Sequence, residues 1–163
     1  MCPKEWLPRL YSAQGFGASM VVRFWVRTGV KGALLRSGRL LVLRRRDDSE
    51  IWPGLWDLPG GGVEKGDDTL EHALAREFLE ETGLRVRVGR VLDVSLQWVP
   101  VRAEPPFPSI RSCFRCSTRS RREPCLDSSE HSEYAWVTRR DLRGLPAVPN
   151  LRPAMEMALR LRP

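Results

Sequence analysis

Long apolar runs are missing from this chain of 163 residues. None approaches the roughly eighteen residues that a membrane-spanning helix needs, so no membrane partner is expected. The opening "MCPKEWLPRLYSAQGFGAS" lacks the basic-then-apolar order of a secretory leader, and the expected location is the cytoplasm. Cysteine is scarce, with four residues at positions 2, 113, 116 and 125, which makes no disulfide framework in a chain of this size. Cys113 and Cys116 sit in the strand-like "SIRSCFRCS", where their odd spacing sends the side chains to opposite faces. A zinc site drawing on them with Cys125 and His131 is therefore not expected. No internal repeat is present.

Acidic residues are the minority, 20 against 27 Lys and Arg, giving a net charge of +7 and a pI near 9.9. Such an excess favours anionic partners through its long-range field, whether phosphates or nucleic acid. The densest basic patch, "RCSTRSRRE", reads as a solvated loop between strands, so a nucleic-acid partner is not expected. With 42% hydrophobic and 29% charged residues, the composition suits one globular domain rather than a disordered chain.

"MVVRFWVRT" and "VKGALLRSGRLLVLRRR" are β-rich, and "RSGR" between two apolar runs predicts a hairpin turn. "DDSEIWPGLWDLPGG" predicts a loop with a short strand at its end, its two Trp residues packing in the core or a lid, or stacking on a base. From Asp68 to Thr82, Leu70, Ala73, Leu74 and Phe78 recur at three- and four-residue steps and predict one helix with a buried stripe. Asp68 with Glu71 resembles a capping box at its start, and Gly83 sits where a left-handed cap ends it. Strand-like "RVRVGRVLDVSLQWV", "SIRSCFRC" and "EYAWV" follow, then a last helix in "LRPAMEMALRLR" with Pro153 in its first turn. This order argues for a mixed sheet sandwiched by helices, an α/β fold.

The segment "GGGVEKGDDTLEHALAREFLEETGL" holds seven of the twenty acidic residues against only Lys65 and Arg76. Glu77, Glu80 and Glu81, spaced i, i+3, i+4, share one helical face, and three like charges so close call for a compensating cation. Arg76 supplies one charge and a divalent metal the rest; hard oxygen ligands select Mg²⁺ or Mn²⁺. A solvated acidic face is the alternative. The glycines before the helix, Gly61 and Gly62 among them, let backbone approach a ligand closely.

The same segment resembles the Nudix box, G-x5-E-x7-R-E-U-x-E-E-x-G-U with U apolar, matched by Gly62, Arg76, Glu77, Phe78, Glu80, Glu81, Gly83 and Leu84. At the isolated Glu, counting lands on Asp68, whereas the usual order before the helix selects Asp67 with one residue inserted; both stay open. A looser likeness runs from about residue 21 to 162 through "GALLRSGRLLVLRRR", "LWDLPGG" and "SEHSEYAWVTRRDL". The resemblance implies a Nudix hydrolase domain over residues 20–163 after an N-terminal extension of 1–19, with an α/β/α sandwich. It also implies Mg²⁺- or Mn²⁺-dependent hydrolysis of a nucleoside diphosphate linked to another group.

By the same resemblance, Glu80 and Glu81 are metal ligands, Glu77 a ligand or the base, and Arg76 an orienting partner of Asp67 or Asp68. Glu130 or Glu133 stands where some members carry the base. Arg45 corresponds to a phosphate-binding position, and Asp57 and Asn150 to positions near the purine; Asn150 serves equally as a helix N-cap. The expected partner is a nucleotide substrate, most simply a nucleoside triphosphate as in MutT-like members, oxidised purine nucleotides included. ADP-ribose or a nucleotide sugar is the alternative, on the strength of Pro100 and "EPPFPS". A non-catalytic RNA-binding module is the alternative of another class. The sequence assigns no oligomeric state.

Overall fold

The computed structural model describes residues 25–161. The expected extension 1–19, and most of "MVVRFWVRT", lie outside them. Six strands and three helices follow in the order β1 (Arg27–Arg36), β2 (Arg39–Arg45), β3 (Trp56–Asp57), α1 (Leu70–Thr82), β4 (Arg87–Val101), β5 (Glu104–Ser117), β6 (His131–Val137), α2 (Arg139–Gly144) and α3 (Arg152–Arg160).

β1 and β2 form the hairpin expected from "RSGR", with Ser37 and Gly38 both at positive φ, 50° and 74°. That pair of left-handed residues suits the right-handed twist of the flanking strands. β2 then pairs with β3 and β6, while β4 and β5 make a second antiparallel pair. The two halves join along one parallel pairing of β1 with β5, from Arg27↔Ser109 to Leu34↔Cys116. On the other flank of β1 runs the glycine loop, where Val30 N–H donates to the Gly61 carbonyl (2.9 Å) and Gly32 N–H to that of Pro59 (2.8 Å).

Alternation along β1, β2 and β5 fills both faces of the sheet. Val30, Leu34, Leu41, Leu43 and Phe114 pack under Ala73, Leu74 and Phe78 of α1. Ala33, Leu40, Val42 and Cys113 pack on the opposite face, under Ala154, Met155 and Ala158 of α3. The result is the expected α/β/α sandwich. Cys113 and Cys116 fall into different cores, and burial pushes both thiols up to about 12.

Two local expectations are corrected. α1 starts one residue later than the capping-box reading placed it, with Thr69 as N-cap accepting from His72 N–H (3.0 Å), while Asp68 is exposed. The segment after β6 forms the short helix α2, closed by a reciprocal Thr138–Asp141 capping box. Asn150 is no N-cap: it lies within a 3₁₀ turn, Pro149–Leu151, and its amide donates to Gln97 Oε1 (2.9 Å). At the far end of α1, Gly83 is the left-handed cap expected, at φ 66°.

Candidate active site

The glycine loop brings the helix carboxylates to the sheet. Gly60 N–H donates to Glu81 Oε2 (2.7 Å), and Glu81 is 4% exposed. An ideal Cβ at Gly61 would stand 2.6 Å from Glu77 Oε1, so only glycine leaves that carboxylate its place. The three glutamates sharing one helical face thus divide. Glu77 and Glu80 accept from Arg76 Nη1 (3.1 and 3.0 Å), whereas Glu81 turns inward to the Gly60 amide.

Arg76 is the node of the outer side. Its other nitrogens donate to Asp67, Nε to Oδ1 (3.3 Å) and Nη2 to Oδ2 (3.0 Å), and Nη2 also donates to the Gly62 carbonyl (3.0 Å). The loop folds back along the helix to allow this, and Asp67 closes it by accepting from Glu64 N–H (2.9 Å). Arg76, and then the Glu64 amide, hold the Asp67 carboxyl below its ordinary value. Asp68 takes part in none of this. Asp67→Ala is therefore expected to lower kcat about 10- to 100-fold by freeing Arg76, as loss of partners around a metal site does. Asp68→Ala should leave kcat and Tm near the wild-type values, and measuring both for each variant checks the assignment.

On the inner side, Glu81, Glu130 and His131 place their ligand-type atoms within 4.8 Å of one another. His131 Nδ1 stands 3.8 Å from Glu81 Oε1, and neither ring nitrogen has a hydrogen-bond partner among the described residues. Burial, and then the Lys31 charge, push His131 down to about 4, so its imidazole is neutral near pH 7. Burial likewise pushes Glu81 up to about 8, although Lys31 and the Gly60 amide oppose it. Glu130 is exposed beside them. Glu133 is not brought to this cluster: it lies opposite Arg44 on β2 and pairs with it at 3.5 Å.

Beyond the glycines opens a cleft of about 240 Å³. Lys31, Arg45 and Arg111 supply its positive charge, and Trp52, Val99 and Phe107 its apolar lining. Lys31, only 7% exposed, donates to Asp57 Oδ2 (2.9 Å) and to the Gly60 carbonyl. Arg45 donates to the Ile51 carbonyl (2.6 Å), Ser49 Oγ (3.1 Å) and Asp57 Oδ2 (3.4 Å). Burial alone would raise the Asp57 carboxyl, but Lys31, Arg45 and Arg111 outweigh it and hold it below its ordinary value. Arg45, Asp57, Gly61 and Gly62 thus line the cleft, and Asn150 reaches it through Gln97.

Lys31 and Arg111 were not singled out as site residues in the sequence, and His131 was weighed only as a zinc ligand beside the cysteines. Lys31 had a usable signal, a lone cation inside an apolar run destined for a buried strand. His131 follows Glu130 directly, but nothing local marks it as buried.

Comparison with known proteins agrees with this geometry. The model of the NUDIX domain matches residues 26–158. A nucleoside triphosphatase NudI of Enterobacter sp. (strain 638) is 31% identical over 125 residues, 73% of this chain and 86% of that protein. The crystal structure of a MutT protein from Methanosarcina mazei Go1 superposes with a TM-score of 0.68 at 28% identity, covering 83% of this chain and 94% of the other. A MutT NUDIX hydrolase from Burkholderia pseudomallei gives 0.66 at 27% identity, over 82% and 98% of the two chains. The family match spans most of the chain and includes the helix whose carboxylates meet the glycine loop, so the chain belongs to the Nudix family and is a Nudix pyrophosphohydrolase.

Proposed function

We propose that the protein is a divalent-metal-dependent, MutT-like nucleoside triphosphate pyrophosphohydrolase, releasing a nucleoside monophosphate and pyrophosphate. The observation that carries this reading is the joining of a cationic, aromatic-lined cleft to a carboxylate cluster across Gly60–Gly62. The names of the relatives, a nucleoside triphosphatase and MutT proteins, support the substrate class.

The residues fit a metal. His131 has two orphaned buried nitrogens, and Glu81 is a carboxylate that burial raises toward protonation. Glu81, with Glu77 and Glu80 alongside, would hold Mg²⁺ or Mn²⁺, since carboxylate oxygens suit both. When bound, the ion supplies charge neutralisation at the phosphates and a lowered pKa for water.

The chain's own groups do the rest. Arg76 keeps Glu77 and Glu80 in place, and the Gly60 amide orients Glu81. Glu130 carries an exposed carboxylate without a hydrogen bond or ion pair among the described residues, suited to taking the proton of the attacking water. Arg45 sets a guanidinium on the phosphate path between the cleft and the loop Arg46–Glu50. Trp52 and Phe107 offer faces on which a base can stack.

Product analysis over nucleoside triphosphates, ADP-ribose and nucleotide sugars, each with Mg²⁺, Mn²⁺ or EDTA, tests the reading. Triphosphates should be turned over fastest, and only with metal. Preference for ADP-ribose or a nucleotide sugar, or turnover in EDTA, would overturn it.

A further inference from the structure

One cation of the cleft acts on Asp57 only through its field and has no direct partner of its own among the described residues. Arg111 projects from β5 and is 7% exposed, yet its Nη1 has no hydrogen-bond partner, and the guanidinium makes no ion pair among the described residues. The charges of Asp57 and Asp93 reach it, but neither forms an ion pair with it, and Asp57 is committed to Lys31, Arg45 and the Leu58 amide. Leaving a buried guanidinium unmatched is costly, and a bound group that completes it removes that cost.

The polar groups around it are of one kind. Trp52 Nε1 is a second buried donor without a partner. Gln97, 5% exposed, has its Oε1 occupied by the Asn150 amide and is left to present N–H to the cleft. Phe107, with the Arg27 guanidinium 4.0 Å from its ring centroid, and Val99 complete an apolar slot. Such a slot takes a planar ring and asks its edge for acceptors.

We propose that Arg111 sorts nucleotides by the edge of the base, favouring bases that show two adjacent acceptors and disfavouring adenine. This rests on the nucleotide function proposed above. A guanidinium offers two parallel N–H donors, and these match guanine O6 with N7 or cytosine O2 with N3. Adenine sets an amino group beside N7 and beside N1, so one donor of the fork always meets another donor. Uracil places N3–H between its two carbonyls, and 8-oxoguanine carries a proton on N7, so neither shows two adjacent acceptors.

Binding of the non-hydrolysable α,β-methylene analogues of GTP, CTP, ATP and UTP, measured by calorimetry for wild type, Arg111→Met and Arg111→Lys, is the test. Wild type should hold the guanine or cytosine analogue about 10-fold or more tighter than the adenine one. Both variants should lose that preference, the lysine because it keeps the charge without the fork, and both should melt no lower than wild type. A 7-deazaguanine analogue separates the two favoured bases: weaker binding assigns the guanine O6/N7 edge, and unchanged weak binding beside tight cytosine binding assigns O2/N3. An equal loss for all four bases would make Arg111 a phosphate ligand and overturn the proposal, as would no base preference in wild type or a large fall in Tm of both variants. If wild type neither binds nor hydrolyses any nucleotide, the proposed function fails and this inference with it; turnover of all bases alike sinks this inference alone.

Discussion

Glu81→Gln is expected to reduce kcat by about 10²–10³-fold or more while the metal-free protein melts at or above the wild-type temperature. The loss follows from removing the buried carboxylate that joins helix, glycine loop and the Glu130–His131 pair. Retained stability follows from the same burial. With its carboxyl pushed up to about 8 from an ordinary value near 4.5, Glu81 favours the protonated form in the folded state. The folded protein therefore binds the proton more tightly than the unfolded chain does, and this contribution is fully present below about pH 4.5 and is lost as pH rises through 8. It amounts to about 5 kcal/mol at most. Glutamine imitates the neutral form at every pH, so the Tm advantage of the variant should grow between pH 5 and pH 9 in EDTA. Melting curves over that range, with single-turnover assays at saturating metal, check both halves. Wild-type kcat in the variant would remove Glu81 from the catalytic centre.

Gly61→Ala should be nearly as damaging to turnover and far less so to the fold. A Cβ at Gly61 would stand 2.6 Å from Glu77 Cδ and Oε1, closer than such contacts occur, but the obstructing atoms end a flexible side chain. The carboxylate swings away, the backbone stays, and a displacement of about 1 Å at a reacting centre costs on the order of 10²-fold in kcat. Its neighbours provide the controls. At Gly62 an added Cβ meets nothing within 4 Å, so Gly62→Ala should be close to neutral in both kcat and Tm. At Gly60, with φ 125° and the Val30 carbonyl 2.2 Å from the ideal Cβ, alanine should compromise folding itself. Three adjacent glycines thus separate into catalytic, neutral and structural outcomes, measured by kcat and circular-dichroism melting; full activity in Gly61→Ala would sink the assignment of Glu77.

Periodic features were readable from the chain. The stripe Ala73, Leu74, Phe78 and the opposed faces of Cys113 and Cys116 depend only on helical and strand periods, and both stand in the structure. The α/β/α architecture followed from element order and the box. Capping was less legible, because Asp67, Asp68 and Thr69 are all competent and the choice falls to Arg76, nine residues after Asp67, which takes Asp67 and leaves the cap to the Thr69 hydroxyl. Asn150 shows the same limit: its partner, Gln97, is 53 residues away. The shared face of Glu77, Glu80 and Glu81 was sound as geometry, yet their different fates depend on the Gly60 amide and His131, which no spacing within the helix reveals.

The dependence of Glu81 on Gly60, of the cleft on Lys31 from β1, and of the cluster on Glu130 and His131 near β6 means that the box is not a transferable cassette. Moved to another scaffold, residues 62–84 would carry their carboxylates and Arg76 but leave behind the amide, the buried cation and the low-dielectric wall that make Glu81 unlike an ordinary surface glutamate. The site is a product of chain closure. It exists only when β1 has found β5 across most of the domain, a non-local and entropically expensive contact, so regain of activity on refolding reports the whole topology rather than the helix alone.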